Sequence, residues 1–216
     1  MKNHKREFIL SGSGGEAWKK GVGEVWKRGC FVNDGDVRLK ELLGVTIVVE
    51  DPELIDGYIE EFGDFEMIEW MEGNFLSDKP IEKWGFSYGE RLVAYEGVNQ
   101  LKKVIVKLKN NRDSKSATTI LVSPSKDAKH VPCIVTLDFK VRDHQLMCFV
   151  FVRSQDVGKK LYADIISIGK IMSKVAREVK VAVGPLHLFV ASLHIYVDDM
   201  RDDSLRLKEL IKSKSL

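Results

Sequence analysis

The sequence predicts an α+β fold, a single domain in which helices pack against one mixed, largely antiparallel sheet. Short β-branched and aromatic runs are mixed irregularly with helical stripes, unlike the regular strand–helix repeat of a doubly wound sheet. With 216 residues and 44% apolar content, the chain is able to bury one sizeable core. No internal repeat or Pro/Gly-rich linker divides it, so residues 1–216 are expected to form one domain.

The individual elements are predicted from periodicity and from turn residues. Apolar residues three and four positions apart mark the helices, and the clearest stripe runs from Leu161 to Val179 and is interpreted as core. β-Branched runs mark the strands, and Gly73-Asn74 is expected to end the second of two short helices. In chain order, we predict a helix at 15–29, a strand at 45–50, two helices between 52 and 73, a helix at 98–108, strands at 118–122, 134–141 and 146–152, a long helix from 161, a strand at 186–197 and a helix at 205–214.

The strands at 134–141 and 146–152 are separated by a turn-like segment, so we predict a β-hairpin. Cys133 stands at the start of its first strand, and Arg153-Ser154-Gln155-Asp156 follows its second strand. Both ends of a hairpin can open into one cleft. A neighbouring cation lowers the pKa of a thiol, so this placement suits an activated thiolate beside an anion-binding site.

Composition excludes several classes of protein. The net charge of +2 gives no global field for nucleic acid or a membrane surface, and the local Lys clusters are interpreted as solvated faces. No run of about 18 apolar residues is present, and the N-terminal apolar run is too short for a signal peptide. Three unpatterned cysteines, Cys30, Cys133 and Cys148, indicate a reduced compartment, expected to be the cytoplasm. Cys148 is interpreted as core, and the histidines show no metal-ligand spacing, so no metal is expected.

Several motifs occur together in a fixed order. They are E-M-I-E-W-M-E-G at 66–73, F-S-Y-G-E-R-L at 86–92, Pro132-Cys133, Arg153-Ser154-x-Asp156, L-Y-A-D at 161–164 and His194-x-Tyr196. In order and spacing they resemble the thymidylate synthase family, which includes related pyrimidine-nucleotide hydroxymethylases. The resemblance covers roughly residues 60–200, and the short chain is similar to the archaeal branch of the family.

The resemblance implies a covalent mechanism. The Cys133 thiolate would add to C6 of a pyrimidine nucleoside 5′-monophosphate, and C5 would then attack a methylene group carried by a reduced pterin. Methylene-tetrahydrofolate and methylene-tetrahydromethanopterin are both open as the one-carbon donor. Arg153 would bind the phosphate and keep the thiol ionised, and Ser154 would donate a second hydrogen bond to that phosphate.

The resemblance also implies roles for five further residues. His194 and Tyr196 would hydrogen-bond the sugar, and Asp156 would accept hydrogen bonds from the pterin ring. Glu66 and Tyr88 would organise water and protons around the base as an acid–base pair.

Asp164 departs from the family pattern, because thymidylate synthases carry Asn at this position. An ionised Asp only accepts hydrogen bonds, which suits the amino group of cytosine and opposes the O4 of uracil. The related hydroxymethylases that act on cytosine nucleotides also carry Asp. A cytosine nucleotide is therefore the expected substrate, with one alternative: a protonated Asp164 would imitate Asn and accept uracil.

Other departures leave further alternatives open. The family's cross-subunit Arg pair should fall at 113–116, where only Lys115 is basic, and Lys159 and Lys160 are candidate substitutes. A homodimer is still expected, with neither nucleic acid nor a membrane as a partner. Thymidylate synthase proper, acting on dUMP, is the alternative function, and a catalytically degenerate nucleotide- or RNA-binding module is another. The sequence leaves the product, methyl or hydroxymethyl, undecided.

Overall fold

The computed structural model of the chain describes residues 7–128 and 130–213. Residues 1–6 of the N-terminal stretch considered for a signal peptide, and Lys214 at the end of the last predicted helix, lie outside these ranges. The strands are β1 (Glu7–Ser13), β2 (Cys30–Asp34), β3 (Val37–Asp51), β4 (Ala117–Ile120), β5 (Ile134–Arg142), β6 (Gln145–Val152), β7 (Gln155–Asp156) and β8 (Ala182–Tyr196). The helices are α1 (Gly14–Arg28), α2 (Gly57–Phe62), α3 (Phe65–Leu76), α4 (Tyr88–Val93), α5 (Gln100–Asn110), α6 (Leu161–Val179), α7 (Val197–Asp202) and α8 (Ser204–Lys212).

The strands form one mixed sheet in the order β1-β3-β8-β6-β5-β4, with β2 paired to β3 and β7 paired to β8. Strand β3 pairs antiparallel with β2 and β8, and β5 pairs antiparallel with β4 and β6. The β1–β3, β6–β8 and β7–β8 pairs are parallel. This confirms the predicted α+β class and the mixed sheet.

One face of the sheet carries the core, which is centred on α6. The predicted apolar stripe of α6 is buried along its whole length. Trp18 of α1 is fully buried and stacks against Tyr162 of α6, with ring centroids 4.4 Å apart. Cys148 lies in the same core, as predicted.

The other face of the sheet is exposed and rich in apolar residues. Register places Phe8 beside Thr46, Thr46 beside Phe189, and Phe189 beside Phe151, so these side chains share one face across β1, β3, β8 and β6. Phe8 is 64% exposed, and Phe151 and Phe189 are each 44% exposed. We call this surface the open sheet face; it also includes Leu10 and Ile120.

Five elements, β1, β2, β7, α4 and α7, were not predicted, and two of the predicted elements differ in extent. Helix α3 runs through Gly73-Asn74 to Leu76, because the Asn74 side chain is buried and accepts a hydrogen bond from the backbone N–H of Tyr88 at 3.1 Å. The strand predicted at 45–50 is the second half of the 15-residue β3, whose first half pairs with β2. Within the described ranges, no helix combines the length and apolar content needed to cross a bilayer.

Candidate active site

A cleft of about 260 Å³ opens beside the start of the β5–β6 hairpin, β7 and the first turn of α6. Eight of the nine residues that the sequence singled out line it, Glu66 being the exception. They are Tyr88, Cys133, Arg153, Ser154, Asp156, Asp164, His194 and Tyr196. Strand pairing explains their convergence, because β5 is bonded to β6, while β7, which directly follows β6, is bonded to the end of β8.

The hairpin places Cys133 next to Arg153. The backbone N–H of Arg153 donates to the carbonyl of Cys133 at 2.8 Å, which ties the two strand ends together. Arg153 Nη2 lies 3.9 Å from Cys133 Sγ. The same guanidinium donates through Nε to the carbonyl oxygen of Pro132 at 3.0 Å, so its position is held by backbone acceptors.

Burial sets the ionisation of the thiol. Burial raises the pKa of Cys133, and this effect exceeds the lowering by the Arg153 guanidinium and by Lys160. The nearby carboxyls of Asp164 and Asp156 raise the same pKa further. Arg153 therefore favours the thiolate, whereas burial favours the protonated thiol; that Arg153 keeps the thiol ionised stays a prediction.

Tyr88 lines the cleft next to Cys133. It is the first residue of α4, and its hydroxyl accepts a hydrogen bond from the backbone N–H of Ile134 at 3.2 Å. Burial raises the pKa of Tyr88, so the phenol keeps its proton. A protonated phenol that accepts from Ile134 still has its own proton to donate.

Asp164 lies in the first turn of α6, buried at the base of the cleft. Its Oδ2 accepts a hydrogen bond from Gln155 Nε2 at 2.8 Å. Burial raises the pKa of Asp164 to about 6, although the Gln155 hydrogen bond and Lys160 oppose the rise. Gln155 is the variable residue of the Arg-Ser-x-Asp motif, so the sequence contained no signal for its contact with Asp164.

Asp156 is held by the turn that follows β7. Its Oδ1 accepts from the backbone N–H groups of Gly158 at 2.9 Å and Lys159 at 3.2 Å. Burial, together with the neighbouring Asp199, raises the pKa of Asp156 to about 6. Lys159 Nζ pairs with Asp199 Oδ1 at 2.5 Å, whereas Lys160 lines the cleft, so the two candidate phosphate lysines are separated.

His194 and Tyr196 lie at the end of β8 with their rings edge to face, 5.1 Å apart. His194 is buried, and burial lowers its pKa, so the imidazole is neutral near pH 7. Its Nδ1 has no hydrogen-bond partner among the described residues. Buried polar atoms are normally satisfied, so an unpaired one beside a cleft points to a ligand or water.

Glu66 is not brought to the other predicted residues. It is exposed in the first turn of α3, where its backbone N–H donates to the Asp64 cap at 3.0 Å. Trp70 and Asn74 follow it on the same stripe of α3, four and eight residues on, and both line the cleft. The cleft therefore begins about one turn beyond Glu66.

An aromatic wall, formed by Trp70, Trp84, Phe86 and His130, was missed by the sequence analysis. Trp84 meets Trp70 edge to face with centroids 5.2 Å apart, and it stacks on His130 at 5.7 Å with the rings within 10° of parallel. Aromatic faces of this kind suit a flat heteroaromatic ligand such as a pterin. The residues come from three separate segments, so no local pattern could have predicted the wall.

Residues 113–116, where the family's cross-subunit Arg pair should fall, do not line the cleft. Asp34, at the tip of the β2–β3 hairpin, does line it, near Tyr196. In the described ranges, no three His, Cys, Asp or Glu side chains come together as a metal-binding group.

The cleft contains a thiol beside a guanidinium, a protonated phenol and two buried carboxyl groups. Side chains of these kinds occur together in sites of covalent catalysis. Residues 48–214 match the family model described as thymidylate synthase, and the chain belongs to that family.

The similar curated proteins are mostly archaeal. The chain is 29% identical over 188 residues to a protein of Methanococcoides burtonii named "Putative thymidylate synthase", covering 85% of this chain and 87% of that one. It is 30% identical over 221 residues to a protein of the same name from Methanothermobacter marburgensis, covering 92% and 95%. It is also 30% identical over 128 residues to the deoxyuridylate hydroxymethyltransferase of Bacillus phage SP01, covering 52% of this chain and 33% of the phage protein.

Proposed function

We propose that this protein transfers a one-carbon unit from a methylene-tetrahydropterin to C5 of a pyrimidine nucleoside 5′-monophosphate, and that it prefers a cytosine nucleotide. The observation that carries this proposal is the 3.9 Å approach of Arg153 Nη2 to Cys133 Sγ in a cleft whose base is Asp164. In this proposal Cys133 is the nucleophile, Arg153 is the cation beside it, and Asp164 is the group that hydrogen-bonds the base.

In this proposal Cys133 acts as the nucleophile toward C6 of the base. The thiol proton leaves to water, and Arg153 and Lys160 are the cations that stabilise the thiolate. Addition of sulfur to C6 would move an electron pair to C5, which would form a bond to the methylene carbon as one carbon–nitrogen bond of the pterin opens. Loss of the C5 proton would then expel the second pterin nitrogen and leave an exocyclic methylene on C5. Water, or a hydride from the tetrahydropterin, would add to that methylene, and the C6–S bond would break to return the Cys133 thiolate.

Asp156 and the aromatic wall fit the pterin. Asp156 Oδ1 is committed to backbone N–H groups, which fixes the carboxylate and leaves Oδ2 as an acceptor. The wall of Trp70, Trp84, Phe86 and His130 offers flat apolar surface on the same cleft. When bound there, the pterin would supply the methylene group; tetrahydrofolate and tetrahydromethanopterin share the ring that these residues would contact.

The remaining site residues take the roles that the resemblance implies. Ser154 and Arg153 are proposed to bind the phosphate, and His194 and Tyr196 the sugar; the unpaired buried Nδ1 of His194 supports a ligand contact there. Tyr88, with its protonated hydroxyl beside Ile134, is proposed to move protons near the base. The role of Glu66 stays a prediction from the resemblance, because its side chain lies outside the cleft.

Asp164 supports the choice of cytosine. With a pKa of about 6, the carboxyl is mainly ionised at pH 7 and above, and an ionised carboxyl accepts from the cytosine amino group. Below pH 6 the protonated form would imitate Asn and favour uracil. The phage relative is named for a uracil nucleotide, so thymidylate synthase proper, making dTMP from dUMP, is the alternative. The product follows from the fate of the methylene group: water gives hydroxymethyl, and hydride gives methyl.

A homodimer is proposed to form through the open sheet face. Phe8, Leu10, Phe151 and Phe189 expose contiguous apolar surface of the kind that marks an interface. A second copy of this chain is the proposed occupant, since the face is broad, spanning β1, β3, β8 and β6. The cytoplasm is the proposed compartment, because Cys30, Cys133 and Cys148 are all free thiols.

One observation favours a second candidate function, a binding module without turnover. An open groove of about 860 Å³ runs along α5, outside the cleft, and is lined by Lys102, Lys103 and Lys107. Such a basic groove suits a polyanion. The retained thiol in the other cleft argues against this reading, because binding alone does not need a nucleophile.

The test is release of tritium from C5-labelled dCMP and dUMP, each with methylene-tetrahydrofolate and with methylene-tetrahydromethanopterin. We expect release from dCMP, and loss of release in Cys133→Ser with nucleotide binding retained. Release from dUMP alone would establish the thymidylate synthase alternative. No release from either nucleotide, or unchanged release in Cys133→Ser, would overturn the proposed mechanism.

A further inference from the structure

The side chain of Gln155 has one close partner, the carboxyl of Asp164. Gln155 is buried, and β7 holds its backbone by pairing with Leu193 of β8. Its Nε2 lies 2.8 Å from Asp164 Oδ2, whereas the next acceptor, the carbonyl of Asp156, is 3.5 Å away. The amide is thus aimed at a single oxygen of a residue in the site, from a strand that cannot easily shift.

This contact gives the two carboxyl oxygens of Asp164 different surroundings. Oδ2 is committed to Gln155, and among the described residues no side chain donates to Oδ1. A carboxylate with one oxygen held by a fixed donor has a fixed plane, and only its other oxygen is left to meet a ligand. Geometry alone therefore makes Gln155 the residue that orients the group facing the base.

We propose that Gln155 is a specificity-determining positioning residue, which holds Asp164 as an oriented, ionised acceptor for the amino group of a cytosine ring. This inference rests on the proposed function, since it concerns which base the same cleft accepts. Gln155 does not touch the reacting atoms in this proposal; it acts through Asp164.

The hydrogen bond from Gln155 to Asp164 favours the ionised form of Asp164. The N–H of an amide stabilises the charged form of a carboxyl that accepts from it, and removing that donor disfavours the charge. Four other groups face Asp164. Lys160 favours its ionised form and Asp156 disfavours it, whereas Cys133 and Tyr88 are themselves disfavoured from ionising by the Asp164 charge. Without the Gln155 donor, Lys160 is the one of these groups that still favours the ionised form of Asp164 against the effect of burial.

The test uses Gln155→Leu, which keeps the size of the side chain and removes the donor, and Gln155→Glu, which adds a second carboxyl beside Asp164. Gln100→Leu is the matched control, because Gln100 Nε2 donates to the carbonyls of Arg91 and Ile120 away from the cleft. The first measurement is the titration of the Asp164 carboxyl by carbon NMR, with the signal assigned through Asp164→Asn. The second is the ratio of kcat/KM for dCMP over dUMP at pH 7.5.

We expect the Asp164 midpoint to rise in both Gln155 variants and to stay at the wild-type value in Gln100→Leu. We expect the dCMP/dUMP ratio to fall about tenfold or more in Gln155→Leu, since one pH unit in the midpoint changes the ratio of the ionised to the protonated carboxyl about tenfold. An unchanged midpoint, or a shifted midpoint with an unchanged ratio, would overturn the inference. If wild type turns over neither nucleotide, the proposed function fails, and the midpoint in the two Gln155 variants still decides whether Gln155 sets the charge of Asp164.

Discussion

Arg153 Nη2 lies 3.9 Å from Cys133 Sγ while the same guanidinium donates to the carbonyl of Pro132, the residue before Cys133. The backbone that precedes Cys133 therefore holds the Arg153 side chain in place. Such a cation is already in place before any ligand binds, so it favours the thiolate without a conformational change. Burial opposes it, and the balance of the two sets the reactivity of the thiol.

Replacing Arg153 with Met should slow alkylation of Cys133. An opposite charge within 4–6 Å lowers a pKa by about 1–3 units, so its loss should raise the midpoint of the iodoacetamide rate by about one unit or more. The measurement is the rate against pH in a Cys30→Ser background, because Cys30 is exposed whereas Cys148 is buried. Lys109→Met, far from the cleft, is the control. An unchanged midpoint would show that Arg153 serves the phosphate alone.

The preference for the base should depend on pH. Since the pKa of Asp164 is raised to about 6, the acceptor form dominates above pH 6 and the protonated form below it. We expect kcat/KM for dCMP to fall as pH drops through 6 and the value for dUMP to rise. Asp164→Asn should favour dUMP at every pH. If kcat/KM for dCMP and for dUMP changed with pH in the same way, Asp164 would not be the group that selects the base.

Asp164→Asn should also stabilise the fold at high pH. The folded pKa of about 6 lies above the ordinary value of 3.8, so the folded state binds the proton more tightly than the unfolded state. The contribution of this carboxyl to stability is therefore fully present below pH 4 and is lost as the pH rises through 6. Because Asn carries no charge, Asp164→Asn should raise the free energy of unfolding by about 1–3 kcal/mol at pH 8. Urea unfolding at pH 4 and pH 8 measures it; an equal gain at both values would point to packing instead.

The buried ion pair between Arg91 and Asp127 should be needed for the stability of the fold. Arg91 Nη1 lies 2.6 Å from Asp127 Oδ2, which also accepts from the backbone N–H of Ser123 at 2.6 Å. We expect Arg91→Met to lower the free energy of unfolding by about 3–5 kcal/mol, because it leaves a buried carboxylate without its partner.

The control for the ion pair is the exposed Lys109–Glu178 pair, 2.8 Å apart, where Lys109→Met should cost less than about 1 kcal/mol. The double variant Arg91→Met with Asp127→Leu should recover part of the loss, because it removes the unpaired charge. Equal costs for Arg91→Met and Lys109→Met would contradict the role assigned to burial.

Charge placed on the open sheet face should separate the proposed dimer. Phe189 and Phe151 are neighbours on that face, so Phe189→Asp would bury a charge if a second copy covers it. We expect sedimentation velocity to give a dimer for wild type and a monomer for Phe189→Asp. Leu205→Asp is the control, since Leu205 is 68% exposed and lies on α8, away from the sheet. A wild-type monomer at micromolar concentration would refute the proposal.

Local signals were enough to predict much of the fold. The β5–β6 hairpin and the stripe of α6 follow from periods of two and about 3.6 residues that each segment carries by itself. The site motifs were equally local, since Cys133 and Arg153 are brought together by one hairpin. The strand β1 was missed because its pairing partner, β3, is distant in sequence and parallel to it.

By itself the sequence determined the fold class, the family, and the placement of Cys133 and Arg153 at one end of a hairpin, because each depends on short-range pattern and spacing. Only the tertiary structure decided that Gln155 meets Asp164, that Glu66 lies outside the cleft and that an aromatic wall lines it. It also decided that burial outweighs Arg153 at the Cys133 thiol. The physical reason is that desolvation and contact between distant segments depend on what surrounds a group in space, and no period or spacing in the chain encodes them.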